Sequence, residues 1–425
     1  MQVPGRKTCS LKRIREANGL ALRRMTESEP VLFDVQRALY AIPGMRRRLL
    51  LHAGPPVVWR NMCMPMKTAV AGAIVFEGWA KDLEHALAFA ASGQVEFSAT
   101  HHHGAVAPMA GVISPSMQVL CVKNMSFGNT AYCNLNEGLG RVLRFGAYGE
   151  DVLDNLRWVN EWVGPILKAA IHMSGPVPLK PMMVEAMRRG DECHNRHVAG
   201  NKIFIDFLRP YLIRMALAKP KVNRVLEFIE NNYYSFLNVC LAASKATADA
   251  ASGIPCSTVV CALSRNGRQT GIRISGLGDM WLTIQAPVPN GRFFSGYGKK
   301  DACKDMGDST ITETVGLGAF AMAAAPEIVS YLGGSSDDVI RFSQQMYSIT
   351  SGEHRDFRIG LLGGRGTPLG IDIMKVVETG ITPIINTGIA HKDGGIGQIG
   401  AGYVNAPMGC FEEALDIYEG TYGRI

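Results

Sequence analysis

From Pro30 to about Gly146 short apolar runs alternate with stretches that repeat at helical spacing. Val31-Leu32-Phe33 and Val119-Leu120-Cys121-Val122 read as strands and Thr68 to Ala91 as helix, which is an α/β rhythm. From about Asp151 to Ala251 the texture changes. Leu153, Leu156, Val159 and Val163, then Ile203, Phe207, Tyr211 and Ile213, recur at steps near three and four, so this middle part is expected to be mostly helical. Beyond Gly253 strands return in Thr258-Val259-Val260, Gly271 to Ile274 and Met280 to Ile284, bounded by Gly and Asn. Asp308 and Ser309 are placed to cap a helix running through Glu313, Leu317 and Phe320, with Pro326 ending or kinking it. The expected fold class is mixed α/β and multi-domain: an α/β domain over 1–150, a mostly helical domain over 151–252, and a second α/β domain over 253–425, with a cleft between them.

Apolar residues are 47% and charged residues 19% of the 425, a folded composition that excludes disorder as the main state. No repeat of about 20 to 50 residues is visible, which excludes solenoids and propellers. The net charge of +7 suits small anionic ligands. The basic runs, Arg46-Arg47-Arg48 and scattered residues from Arg6 to Arg15, are short and carry no interleaved aromatics, so no nucleic-acid partner is expected. Val315 to Leu332 is interrupted by Pro326 and Glu327 and rich in Gly and Ala, a buried helix rather than a membrane span. The charged start lacks an apolar h-region, so a cytoplasmic home is expected. Ten cysteines without a Cys-x-x-Cys pair then read as small, buried, reduced side chains.

Glycine is over-supplied, 47 residues where an average of roughly 7% would give fewer, and the excess concentrates in Gly360 to Gly402. There Gly363-Gly364-Arg365-Gly366-Thr367-Pro368, a strand-like Thr382 to Gly388, His391-Lys392 and Gly394 to Gly402 offer an anion cradle of backbone N–H groups and cationic side chains. The alternative is that these glycines make turns and bulges between strands. His101-His102-His103, taken as extended chain, can direct only 101 and 103 to one site, and no second ligand cluster supports a metal. Gly190 to His197, taken as helix, sets Asp191 beside His194 and Asn195, either as a solvated face or as a cleft edge from which Arg196 grips a carboxylate. Glu137 and Glu313 sit in apolar company; if buried, each is a candidate acid or base with a raised pKa.

Cys63-Met64-Pro65-Met66, His101 to Ser114, Asn136 to Gly146, Gly190 to Arg196, Arg265 to Gly276, Gly307 to Pro326, Arg365 to Asp372 and Asn386 to Gly402 together resemble the YlbE/AllG-like family, bacterial proteins formerly a domain of unknown function and linked to oxamate carbamoyltransferase. The match is collinear from residue 17 to 414 and rests on many blocks. Met1 to Glu16 departs from it: short and basic where the family usually opens with a strand-rich segment, as a truncated or misassigned start lacking an edge strand would be. The resemblance implies one subunit of a complex with an FdrA-like, CoA-ligase-related subunit and a further small-family subunit, with carbamate kinase acting downstream. A homo-oligomeric state is expected as well. The reaction it implies is phosphorolysis of oxalurate to oxamate and carbamoyl phosphate, or the reverse, in purine-derived allantoin catabolism, with no cofactor.

Such chemistry needs an N–H-rich or cationic pocket for phosphate and the developing oxyanion. Arg365, Gly366, Thr367, Asn386, Thr387, Gly388, Lys392, Gly395 and Gly397 are expected to form it, with His101 nearby. Proton transfer is expected of His391 or His103, assisted by Lys392, and carboxylate binding of Arg196 and of Arg265 with Asn266. Glu137, His194, Asn195, Asp308 and Glu313 are expected to support them. Two other classes stand beside this one: a non-catalytic scaffold or ligand-sensing subunit, and a metal-dependent amidohydrolase built on the histidine triplet.

Overall fold

The computed structural model describes residues 9–216, 221–328, 332 and 335–423, and the fold is mixed α/β, as expected. A five-stranded sheet runs in the order Ala105–Val106, Thr130–Asn134, Gln118–Asn124, Pro30–Arg37, Val177–Pro178. The run Val119 to Val122 of the central strand Gln118–Asn124 is apolar and buried because both faces are covered there. Leu120 and Val122 face the helices of the middle segment, while Val119 and Cys121 face a second cluster with Leu49 and Leu51 of a neighbouring three-stranded sheet.

The middle segment is mostly helical, as its periodicity requires. Its helices share one core with the first sheet. The helix Ser235–Ala250 is buried along nearly its whole length, Lys245 included, and packs on the strands Gln118–Asn124 and Thr130–Asn134 and on the turn of helix Ile311–Thr314.

A second core gathers the C-terminal elements: a four-stranded sheet ordered Leu282–Gln285, Gln269–Ile274, Val260–Asn266, Met306–Gly307, a three-stranded sheet ordered Asn290–Phe293, Gln398–Asn405, Ile384–Ala390, and the hairpin Thr350–Ile359 with Arg365–Ile371. The helix Leu11–Glu27 joins this core through Ile14, Ala17, Ala21 and Met25, spaced at three and four. At its middle, Asn18 accepts from the Ser257 hydroxyl at 3.0 Å and the Thr258 N–H at 2.9 Å, and donates to Thr258 Oγ1 at 2.7 Å and Asp372 at 3.1 Å. Cys9 and Cys256 form a disulfide with Cα atoms 5.9 Å apart. This corrects the expectation that all the cysteines are free thiols: both partners are buried neighbours where the helix meets the C-terminal core.

Other local expectations also change. Residues 315–328 are mostly buried, Glu327 excepted, but make two 3-10 segments, Gly318–Ala324 and Pro326–Ile328, instead of one α-helix, because Gly316 and Gly318 turn at φ 84° and 59°; residues 329–331 lie outside the described ones. Asp308 caps no helix. Its carboxylate is held by distant segments. Among the described residues no helix is long and apolar enough to cross a membrane.

Replacing Asn18 by Ala leaves the Thr258 N–H and Asp372 short of a buried partner, so a loss of about 2 kcal/mol or more is expected. A thermal melt of Asn18→Ala against the parent chain checks this; an unchanged midpoint would show that the helix contributes through its apolar face alone.

Candidate functional site

Three carboxylates fall within the segment Asp305 to Glu313, and all three are buried. A buried charge persists only when paired and hydrogen-bonded, and here most partners come from elsewhere in the chain, joined by the Met306 N–H on Asp305 and the Thr312 hydroxyl on Glu313 from within the segment. Asp305 takes Nε of Arg265 at 2.7 Å and Nη2 at 3.2 Å, and the Thr387 hydroxyl at 2.7 Å. Asp308 accepts from the Gly54 and Ala107 N–H groups at 2.7 and 2.8 Å, from Thr100 at 2.6 Å and from Ser264, with His101 Nε2 3.4 Å away. Burial works against its charge, but His101 and these hydroxyls hold its pKa at about 2. Glu313 faces His194 Nδ1 at 2.8 and 3.0 Å and accepts from the Ala319 and Asn386 N–H groups at 3.0 and 3.1 Å. Burial opposes this charge too, yet His194 and the N–H donors keep Glu313 below the usual carboxylate range.

An ionised Glu313 only accepts, so Nδ1 of His194 carries the hydrogen and Nε2 is the nitrogen left for a ligand. His194 lines a small enclosed cavity of about 30 Å3, together with Arg144, Asn195, Tyr234, Ser309 and Gln398. Its walls come from all three parts of the chain. The loop between the helices Leu179–Arg188 and Val198–Ala216 turns inward at Cys193, a non-glycine residue with φ 63°, and so presents Glu192 and His194 on the same buried side. Met109, a second non-glycine with positive φ, also lines the cavity; such strain gathers at functional sites. Gly388 completes a wall where a Cβ would come within 3.0 Å of the Phe145 ring. Asn386 lies two residues earlier on the same face of its strand, and both atoms of its buried side-chain amide are without a partner, as is Asn195 Nδ2.

Arg144 is buried, with Nη1 donating to Asn136 Oδ1 at 3.0 Å. Burial lowers its pKa against the pull of Glu137, and burial raises that of Glu137 against the pull of Arg144. Glu192 accepts from the N–H groups of Asn195 and, at 2.7 Å, Arg196, but its Oε2 is buried without a partner. Burial pushes Glu192 up to about 7, with Glu313 adding to the push and His194 opposing it. The assembly is thus a carboxylate–imidazole pair, a buried guanidinium and unpaired amides around one cavity, a set able to hold an anion and move a proton.

A family model described as "Oxamate carbamoyltransferase subunit AllG" matches residues 95–309. Two proteins of Escherichia coli (strain K12) are similar over nearly the whole chain. "Oxamate carbamoyltransferase subunit AllG" is 44% identical over 413 residues, covering 96% of this chain and 99% of its own length. "Uncharacterized protein YahG" is 46% identical over 403 residues, covering 95% and 85%. The crystal structure of a conserved protein of unknown function from Enterococcus faecalis V583 superposes with a TM-score of 0.94 at 44% identity, covering 96% of this chain and 98% of that one. The chain belongs to the AllG family.

In this AllG-family chain the residues singled out by sequence divide into two groups. His194, Asn195 and Gly388 line the cavity, with Glu313, Asn386 and Glu137 next to it. Thr387 and Arg265 lie one layer behind. All five N–H donors of Arg265 are used within the protein, by Asp305, Gly307 O, Thr310 and Thr387, which leaves none for a substrate carboxylate. Asn266 holds a turn through the N–H groups of Arg268 and Gln269.

The others are not brought to this cavity. His103 is within 3.0 Å of Pro43 O and of Ser98 Oγ. The triplet is a 3-10 turn instead of extended chain, and three residues per turn send its rings in different directions; among the described residues no group of three or more His, Cys, Asp or Glu is gathered as a metal needs. Arg196 pairs with Glu327 at 2.7 Å in a loop that is buried rather than a helical face. Arg365 is exposed, paired with Glu353 at 2.5 Å over the Tyr347 ring, and Lys392 donates to Lys300 O at 2.9 Å. His391 accepts from the Asp393 N–H at 3.0 Å. Gly366, Gly395 and Gly397 serve a strand pair and a turn, Gly395 donating to Gly146 O at 2.7 Å and Gly397 O accepting from His391, and Thr367 is buried in the strand Arg365–Ile371 beside Gly316. Arg144, Tyr234 and Gln398 were missed, while Glu192 was read only as part of the charged run Gly190 to His197 and Ser309 only as a cap; Arg144 carried a signal, a lone cation inside Val142-Leu143-Arg144-Phe145.

The raised pKa of Glu192 has a pH consequence. Between the unfolded value near 4.5 and about 7 the folded chain binds more protons than the unfolded one, so stability falls as pH rises through this window and levels off above it. Glu192→Gln keeps the two accepted N–H bonds without the charge, and its melting temperature is expected to gain on the parent chain from pH 5 to pH 8. A constant difference would show that Glu192 titrates normally.

Proposed function

We propose that this chain is the carbamoyl-transferring subunit of an oxamate carbamoyltransferase-like complex, and that the cavity at His194 is its reaction centre. The observation that carries the reading is the buried Glu313–His194 pair at a cavity lined also by the Arg144 guanidinium and by Asn195, whose Nδ2 is unpaired. The relative named as an oxamate carbamoyltransferase subunit, similar along almost its whole length, supplies the reaction class.

In oxalurate phosphorolysis a phosphate oxygen attacks the terminal ureido carbonyl carbon and forms a C–O bond. The C–N bond to the oxamate nitrogen breaks, and that nitrogen leaves with the bonding pair and needs a proton. Nε2 of His194 takes the proton from the attacking hydrogen phosphate and passes it to the departing nitrogen, so no net proton is exchanged. Arg144 holds an anionic group, and Asn195 and Asn386 offer N–H donors to the developing oxyanion. At about 30 Å3 the closed cavity has room for little more than a water, so the elements around it part when substrate binds. An open cleft of about 720 Å3 lies next to the loop at Gly138, and Asn232 of its wall and Arg144 of the cavity wall both donate to Asn136 Oδ1. The partners of this reading are the FdrA-like subunit and the further small-family subunit, with carbamate kinase consuming the carbamoyl phosphate formed in purine-derived nitrogen catabolism.

His194→Gln in the reconstituted complex is expected to lower kcat by about a hundredfold or more with little change in KM. Turnover within about threefold of the parent would remove His194 from proton transfer. The purified chain alone is expected to bind carbamoyl phosphate saturably, and no binding with or without its partners would favour the scaffold reading.

A further inference from the structure

The open cleft of about 720 Å3 beside the loop at Gly138 takes no part in the chemistry at His194. The helices Glu150–Trp158 and Lys221–Asn231 form its sides, with Gly138 and Leu139 at its rim. Trp158 and Phe228, both half-buried, meet edge-on with centroids 4.7 Å apart, and a Cβ on Gly138 would stand 3.4 Å from the Phe228 ring. Directly after Trp158 the helix widens into a π turn, Val159–Val163, a rare departure that gathers at functional sites. Cations of the facing helix cover both indoles of this stretch: the Arg224 guanidinium lies 5.4 Å from the Trp158 centroid and Lys221 Nζ 3.4 Å from that of Trp162. Leu139 stands 47% exposed between Gly138 and Gly140, which turn at φ 103° and 81°. Two amides of the cleft wall brace the chain behind it, Asn155 donating to Glu137 O at 2.6 Å and Asn232 to Asn136 Oδ1 at 3.1 Å, so the wall is formed in advance.

Arg224 and Glu227 are exposed, and both line this cleft. Three apart on one helix, they are neighbours of opposite charge, the usual setting for an ion pair. They do not pair, because the guanidinium leans over Trp158 instead, and among the described residues neither has another ion-pair or hydrogen-bond partner. The cleft thus offers a free cation, a free anion and an aromatic floor, all within reach of solvent. Its other carboxylate, Asp154, accepts from Arg157 at 2.8 Å. Two carboxylates face one guanidinium among its described lining residues, which disfavours a polyanion such as a nucleotide. We propose that this cleft binds a free α-amino acid with an aromatic side chain. Its carboxylate takes the planar fork of Arg224, its ammonium donates to Glu227, and its ring settles on Trp158 and Phe228 beside Leu139. Both charges of such a ligand hang on one carbon, which suits two side chains standing one helical turn apart. The proposal concerns binding alone and shares no lining residue with the His194 cavity.

L-Phenylalanine is the probe, titrated calorimetrically into the full chain. Saturable binding is expected, weakened at least tenfold in Arg224→Gln and in Glu227→Gln, and within threefold of the parent in Lys202→Gln, an exposed position outside the cleft. All three substitutions are at exposed positions, and thermal melts establish that each variant folds. Changes of ligand read the same contacts from the other side. L-Phenylalaninamide lacks the carboxylate, N-acetyl-L-phenylalanine lacks the ammonium and L-alanine lacks the ring, and each is expected to bind at least tenfold more weakly. The proposal is overturned by no saturable phenylalanine binding, by binding that neither cleft variant weakens, by N-acetyl-L-phenylalanine binding as tightly as phenylalanine, or by AMP binding more tightly than it. None of these results bears on turnover of the His194→Gln complex, so the two readings fail separately.

Discussion

The constraint on which the rest depends is the burial of three carboxylates within the segment Asp305 to Glu313. A carboxylate taken out of water without a counter-charge and hydrogen bonds is strongly disfavoured, so each of the three has to find donors beyond the Met306 N–H and the Thr312 hydroxyl that the segment itself gives to Asp305 and Glu313. Donors arrive from Gly54, Thr100 and Ala107 for Asp308, from Arg265 and Thr387 for Asp305, and from His194 and Asn386 for Glu313. Satisfying one segment therefore fixes the N-terminal sheets, the helical middle and the C-terminal sheets against one another.

Energetics and chemistry share these contacts. Arg265 is spent wholly on structure: a guanidinium with every donor used cannot also bind substrate, however well its residue type fits the task. His194 is spent on one nitrogen only. Its Nδ1 is pinned by Glu313, which sets the tautomer of a ring that lines the cavity and leaves Nε2 as its acceptor nitrogen. The same short segment orients a second, fully buried imidazole, His101, through Asp308.

The unpaired polar atoms mark where the protein is unfinished by itself. Asn386 and Asn195 beside the cavity are buried without full hydrogen bonding. Elsewhere buried polar side chains such as Asn18, Asn124 and Asn238 are tied to several partners each. Other unpaired buried atoms, such as Asn201 Oδ1, Thr270 Oγ1 and Thr367 Oγ1, lie outside the lining of the cavity.

Hydrophobic spacing alone determined the strand at Val119–Val122, the helical middle and the return of strands after Gly253, because a period of two or near 3.6 is imposed by backbone geometry whatever the chain packs against. The grouping of blocks from Asn136 to Asn386 into one family was legible for a similar reason, since it depends on residue order. What only the tertiary structure decided is which polar residues meet. Arg365, His391 and Lys392 sit near Asn386 along the chain yet are occupied by Glu353, Asp393 and Lys300, while His194 and Glu313, 119 residues apart, share hydrogen bonds. Burial of a carboxylate selects its partner by distance in space, and that distance is set by how the sheets and helices stack, a quantity no local pattern encodes.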